Sequence, residues 1–296
     1  MSTWNLALEC SGFTCSVAVA KLDSLDPPLW LETPPALSSV QGLASMVRHV
    51  LQNAGIRQPD FLSVTHGPGS FTGLRVGLAT AKTLGMAWDI PLVAIDTLEA
   101  IAFRQHLQLT AASTDRSIAT ALGKAPVNPK GIPATDAPPV LLLPVMNAFR
   151  RQVFAAAYES QPASAGLVRL AAAQVLDAAV WRAQPWRSLA QDPPPADLRQ
   201  VDCRQTEAGP TQESTSLQRR IVCGPGLEHY QPEEAAELEV APAESWNPRA
   251  VDVLQLGWQK YLNRDLHPHT FSTADSLAPN YIRSSAAEEV SQAGNR

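Results

Sequence analysis

The order of elements in the sequence predicts an α/β protein built on a mixed sheet, and three observations carry that expectation. Short β-rich runs alternate with apolar-striped helical segments through residues 1–109. Within them a strand, Phe61 to Thr65, runs into the turn His66-Gly67-Pro68-Gly69-Ser70-Phe71-Thr72-Gly73 and then into a proline-free helix, Leu74 to Trp88. A second β region opens at Val140, after a break rich in Thr, Ala, Ser, Pro and Gly.

Taken in order, Trp4 to Leu8 and Cys15 to Ala20 read as the strands of a hairpin, with Gly12 in the turn and Glu9 at its mouth. A third strand follows Pro27-Pro28 at Leu29 to Glu32. Ser38 or Ser39 caps a helix that Gly55 stops after Ala54; Leu43, Met46, Val47, Val50 and Leu51 give it one apolar face. Beyond the glycine turn and its helix, Pro91 to Ile95 is a strand, and Asp96 or Thr97 caps a helix to about Gln108. Residues 110–139 lack apolar periodicity and are expected to be a flexible insertion. Strands resume at Val140 to Leu143 and Gln152 to Tyr158, with Asn147 in the turn between them. Residues 184–220, with Pro193-Pro194-Pro195 and a charged run, read as a second disordered excursion. Ile221-Val222-Cys223 then leads into Gly224-Pro225-Gly226. A helix from Arg249 to Asn263 is opened by Asn247-Pro248, with Val251, Leu254, Gly257, Trp258 and Tyr261 on or beside its packed face.

The turn has its own chemistry. Gly67 and Gly69 allow backbone angles closed to side chains, Pro68 stiffens the chain, and Ser70 or Thr72 can cap the helix. Glycines beside a helix N-terminus can also hold an anion. It is not a Walker loop, because Leu74 and Arg75 follow Gly73 where Lys and Ser/Thr are needed. Nor is it a Rossmann turn, since the glycines run G-x-G-x-x-x-G. Gly73, Gly77, Ala81 and Gly85 recur every fourth residue and make a stripe almost without side chains, where another backbone can approach closely. That partner is either the chain's own sheet or a second protein, and the pattern does not choose.

Composition narrows the function classes. With 23 basic and 28 acidic residues, net −5, the chain has no global footprint for nucleic acid. Cys10, Cys15, Cys203 and Cys223 form no C-x-x-C pair, so zinc ribbons and redox dithiols are not indicated and buried or incidental thiols are the default. The N-terminus lacks a signal-peptide pattern and no window approaches a membrane span, from which a cytoplasmic location is expected.

Together Glu9-Cys10-Ser11, Cys15-Ser16-Val17-Ala18, the run from His66 to Gly77, Gly224-Pro225-Gly226 and Leu277-Ala278-Pro279-Asn280-Tyr281-Ile282-Arg283 resemble the TsaB (YeaZ) family, the bacterial subunit needed for threonylcarbamoyladenosine in tRNA. The resemblance implies the actin/Hsp70/sugar-kinase-like (ASKHA) fold, two related lobes each with a mixed sheet and packed helices. The division then expected is a first lobe at 1–109, the insertion 110–139, a second lobe at 140–283 interrupted at 184–220, and a polar tail at 284–296. It also implies a non-catalytic subunit whose main partner is the TsaD paralogue, with a TsaE-type ATPase in the complex and tRNA met only indirectly. A homodimer is expected when the subunit is alone. No cofactor is expected on this chain by itself, and ATP or ADP only at the subunit interface. The partner contact is expected on the two first-lobe helices, at Leu43, Met46, Val47, Val50, Gly73, Gly77, Ala81 and Gly85. The turn residues singled out are Gly67, Gly69, Ser70, Thr72 and Arg75.

Two departures bear on chemistry. Family members often carry Asp where this chain has Glu9, and Asp-Ala-Arg where it has Asn147-Ala148-Phe149. Nucleotide-hydrolysing members of the fold use a carboxylate from each lobe, and Asn147 cannot serve as a base. The rival reading of another class, an ATP-dependent phosphotransferase or ATPase, therefore meets only part of its requirements. A metallopeptidase lacks H-E-x-x-H, and no helical pair of histidines stands at ligand spacing.

Overall fold

The computed structural model describes residues 3–12, 14–22, 27–33, 42–113, 138–161, 166–185, 187–189, 219–233, 238–264, 271–280 and 282, with only the backbone at 111–113. The first sheet contains β1 (Trp4–Glu9), β2 (Ser16–Lys21), β3 (Leu29–Glu32), β4 (Phe61–Gly67) and β5 (Leu92–Asp96), with a short β11 (Phe271–Ser272) on its edge. The second contains β6 (Val140–Phe149), β7 (Gln152–Gln161), β8 (Gly166–Asp177), β9 (Arg220–Cys223) and β10 (Glu239–Val240). The strand orders, β11-β5-β4-β1-β2-β3 and β10-β9-β6-β7-β8, follow one plan. An antiparallel meander is extended past its first strand by two parallel strands, β4 and β5 in one sheet and β9 and β10 in the other. Two related lobes with mixed sheets are therefore present, as the resemblance implies.

Helices fill three layers around the sheets. α1 (Leu43–Ala54) and α2 (Phe71–Trp88) share one face of the first sheet, and their apolar residues join Leu6, Leu8, Val17 and Val64 in one cluster. Between the sheets lie α3 (Thr97–Ser113) and α5 (Ala250–Leu262). Leu98, Ile101 and Ala102 of α3 pack on the second sheet, while Ala100 and Phe103 pack with the first. On the far side α4 (Ala178–Ala183) presses Trp181 against Leu141, Leu143 and Val145. Alternate residues of β6 thus enter different clusters, Leu142 and Met146 inward and Leu143 and Val145 outward, as the period of two dictates.

α5 lies hard against the first sheet at Gly257. A Cβ there would come within 2.8 Å of Ser63 Cβ and 2.9 Å of Asn5 Nδ2. The contact is polar and closed: Ser63 Oγ donates to Asn5 Oδ1 at 3.1 Å, and Asn5 Nδ2 donates to the Leu254 carbonyl at 3.0 Å. All three polar groups find partners away from water, which is what their burial requires.

Several expectations need correction. The division at 140–283 fails at its far end, because α5 and β11 pack on the first sheet and so return the chain to the first lobe. β8 and α4 were not expected at all; Ala171-Ala172-Ala173 within β8 is poor in β-formers, and the strand exists because it pairs along β7. Asn147 lies in β6, not in the turn, which is made by Phe149, Arg150 and Arg151 at φ of 59, 51 and 62°. α3 continues to Ser113, past the expected start of the insertion. Leu189, expected in the second excursion, is buried against Trp181. Arg220, the expected end of that excursion, already belongs to β9. Residues 114–137 and 190–218 and the polar tail lie outside the described residues.

Candidate functional site

The glycine turn sits where β4 meets α2, over the mouth of the β1–β2 hairpin. Gly67 and Gly69 have φ of 129 and 156°, and the Gly67–Pro68 peptide is cis. A Cβ on Gly69 would lie 2.9 Å from Ser11 Cβ, and one on Gly67 2.7 Å from the Asn280 carbonyl oxygen. Both glycines are needed for close approach as well as for their angles. Ser70 caps the helix, its Oγ accepting from Gly73 N at 3.3 Å, and its own N–H donates to the Ser11 carbonyl at 2.7 Å. Thr72 and Arg75 are exposed, with the Arg75 guanidinium 3.9 Å from the Phe71 ring centroid.

The hairpin mouth is therefore filled by the chain itself. Glu9 Oε1 accepts from Ser11 N at 2.7 Å and from Ser11 Oγ, and burial pushes the Glu9 carboxyl up to about 7 despite those bonds. Through Oε1 the carboxyl builds the turn. Asn147 is likewise occupied, its Oδ1 accepting from Phe149 N at 2.7 Å. Gly224 and Gly226 press on the backbone of Val145 and Met146, where Cβ atoms would come within 3.0 Å. Among the described residues no group of three or more His, Cys, Asp or Glu is placed to hold a metal, and no helix is long and apolar enough to cross a membrane.

The residues expected to meet a partner do not form a surface. Gly73 lies against the Cys10 backbone, Gly77 against the Cys10 side chain and Gly85 against Leu92, while Ala81, Leu43, Met46, Val47 and Val50 are buried in the core beneath α1 and α2. The close partner of the small-residue stripe is the chain's own first sheet. Bulky substitutions at Gly77 or Ala81 would thus report on folding. What α1 and α2 turn outward is Arg48, His49, Phe71, Arg75, Ala79 and Met86, the last with 69% of its surface exposed.

Three features escaped the sequence reading. The first is a strap: Asn280 N donates to the His66 carbonyl at 2.7 Å and Leu277 is buried in the first-lobe core, so the C-terminal segment crosses the turn. Burial holds the His66 ring below its ordinary value even though it bonds the Ala278 backbone. The second is the burial of Asp96, which caps α3 as expected, its Oδ1 accepting from Leu98 N at 2.8 Å and Glu99 N at 3.1 Å; burial, reinforced by Glu99, pushes its carboxyl up to about 6. The third corrects an expectation of incidental thiols: Cys10 and Cys15 form a disulfide across the hairpin mouth.

Against solved structures the match covers nearly the whole chain. YeaZ from Pseudomonas aeruginosa superposes with a TM-score of 0.62 at 20% identity, covering 94% of this chain and 99% of that one. The chain has the YeaZ fold. A second Pseudomonas aeruginosa structure, described as similar to the peptidase YeaZ, gives a TM-score of 0.59 at 21% identity over 95% of this chain and 100% of that one. In sequence the likeness covers a smaller part of the chain. The chain is 34% identical over 100 residues to the tRNA threonylcarbamoyladenosine biosynthesis protein TsaB of Bacillus subtilis, and 33% over 99 residues to that of Haemophilus influenzae. These alignments span 33% of this chain in each case, and 42% and 41% of those proteins. Residues 36–117, which run from before α1 past α3, match the family model of TsaD, tRNA N6-adenosine threonylcarbamoyltransferase. The enzyme of that name from Erythrobacter litoralis is 39% identical over 74 residues, 24% of this chain and 22% of its own length. The family-model match thus falls on the lobe that carries the glycine turn.

Proposed function

We propose that this chain is a TsaB-type subunit of a machinery that forms threonylcarbamoyladenosine in tRNA, a partner of a TsaD-type threonylcarbamoyltransferase that performs no turnover itself. The observation that supports this most is the pairing of sequence likeness to TsaB proteins with a hairpin mouth closed by the chain's own turn. Phosphate chemistry needs open donors and positioned carboxylates. Here Ser70 N is spent on Ser11, Glu9 on Ser11, and Asn147 on Phe149. A nucleotide, on this reading, belongs to an interface of the assembly, as does a TsaE-type ATPase, and the acidic balance of the chain fits tRNA being met through the partner. The working location is the cytoplasm.

The partner surface we assign is the outward side of α1 and α2, and alone the subunit pairs with itself through the same side. The matched TsaD model includes both helices, so two homologous helix pairs can meet face to face. Phe71 and Met86 supply apolar anchors and Arg48 and Arg75 charged ones. Arg75→Glu combined with Met86→Glu is expected to weaken capture of a TsaD-type subunit by about tenfold or more, ~1.4 kcal/mol, with circular dichroism unchanged. Unchanged capture by the folded variant would move the interface elsewhere.

The phosphotransferase reading makes the opposite forecast for the isolated chain. Purified protein with ATP and magnesium is expected to release no phosphate above a no-protein control. Steady release that disappears in Glu9→Ala would return the rival to first place.

A further inference from the structure

The Cys10–Cys15 bond has no part in the subunit role just proposed, yet it lies directly beneath α2. Glu9 and Ser16 are the last paired residues of the β1–β2 ladder, and Cys10 and Cys15 are the next pair outward, their Cα atoms 4.4 Å apart. Both are buried in the first-lobe core. The Cys10 carbonyl backs onto Gly73, while its Cβ and Sγ lie 3.2 and 3.5 Å from the place a Gly77 Cβ would occupy. The next residue, Ser11, accepts from Ser70 N through its carbonyl. The first two turns of α2 therefore rest on Cys10 and Ser11. A bond that fixes Cys10 fixes that seat.

A structural staple is a poor account of such a bond. Crosslinks stabilise least when they close a short loop, and this one closes a loop only five residues in sequence separation. A chain with a core this extensive has no need of staples. What the bond changes is local. Bonded sulfurs sit about 2 Å apart, whereas two thiols in contact need roughly 3.5–4 Å. On reduction the two sulfurs must part, and Gly77 of α2 is the wall beside Cys10 Sγ.

We propose that Cys10 and Cys15 form a reversible redox site that sets how α2 seats on the first sheet, exchanging with a low-molecular-weight disulfide such as oxidised glutathione. In the oxidising direction one cysteine thiolate attacks the glutathione disulfide, forming a mixed disulfide and releasing one glutathione. The second thiolate attacks that mixed disulfide, closing Cys10–Cys15 and releasing the other. Two electrons and two protons leave the protein dithiol, and one disulfide becomes two thiols. Gly12, with no described residue within 4 Å of where a Cβ would sit, is the place where the hairpin turn opens for the exchange. As α2 also carries the assigned partner surface, the oxidised form presents that surface as described here and the reduced form presents it loosened; this last step rests on the partner reading.

The test uses the full chain carrying Cys203→Ser, equilibrated across reduced-to-oxidised glutathione ratios and then alkylated and weighed. Expected is a two-electron transition between a form with Cys10 and Cys15 both alkylated and a form with neither. In parallel, hydrogen exchange at the amides of Leu74 to Leu78 is expected to be about tenfold faster or more in the reduced protein. A pair that stays in one state across the whole range, or equal exchange in the two states, overturns the proposal. Because reduced wild type serves as the open form, the result does not depend on whether Cys10→Ser folds. Capture of a TsaD-type subunit is then compared between the two forms. Tighter capture by the oxidised form supports the link, and equal capture confines the site to α2. Capture by neither form counts against the partner reading while leaving the exchange result standing.

Discussion

Gly257→Ala is expected to cost the protein about 2–5 kcal/mol, the sum of overpacking and of buried polar groups left without partners. The added methyl would collide with the Ser63 side chain and stand 2.9 Å from Asn5 Nδ2. α5 would have to lift from the sheet, and the bond from Asn5 to the Leu254 carbonyl would lengthen with it. Ser63→Ala removes the hydroxyl part of the collision, though the Cβ of residue 63 stays 2.8 Å from the added methyl, and it leaves Asn5 Oδ1 without its donor, so the two substitutions should be coupled and not additive. Chemical denaturation of the two single variants and the double variant measures this directly. A Gly257→Ala protein as stable as wild type would mean that α5 does not sit on Ser63 as described.

Glu9→Gln carries the second large effect, visible in how stability depends on pH. An unfolded glutamate titrates near 4.5 and the buried Glu9 at about 7, so between those values the folded state keeps a proton that the unfolded state has released. The stability tied to that proton is fully present below 4.5 and is lost as pH rises through 7, amounting to about 3 kcal/mol. Asp96, raised from 3.8 to about 6, and Asp252, also raised by burial, pull in the same direction. His66, held below 6.5, pulls against them on the acid side. Glutamine keeps the oxygen that accepts from Ser11 and cannot ionise. The variant should therefore match wild type near pH 5 and exceed it by a few kcal/mol at pH 8. An equal decline in both proteins would show that Glu9 is not the group responsible.

Where the sequence reading succeeded, local rules and tertiary packing agreed. The β1–β2 hairpin and the strand-turn-helix around Gly69 carry their own signals of period, turn residue and cap, and α5 carries its apolar period, although its N-cap is Arg249 and Asn247-Pro248 lie just before it. It failed where the deciding neighbour is distant in the chain. Small residues on α2 announce close approach, but only Cys10 and Leu92, brought in by the fold, say to what. β8 owes its conformation to β7 and not to its alanines. The apolar face of α1 was correctly identified as apolar, yet an apolar stripe on a surface helix is first of all the stripe that faces the core. The closed hairpin mouth was illegible for the same reason: Glu9 and Ser11 are neighbours in sequence, but Ser70 reaches Ser11 from the distant cap of α2.

The two-sided packing of α3 has a mechanical consequence. Leu98, Ile101 and Ala102 are held by one sheet and Ala100 and Phe103 by the other, all of them buried. To swing the lobes apart would bare one set or the other, at about 1.5–3 kcal/mol for each large side chain exposed. Jaw-like opening and closing, the motion by which a cleft between lobes admits and releases a substrate, is thereby suppressed. α3 acts as a keystone and not a hinge, and neither lobe can be cut away without leaving the other with an uncovered flank.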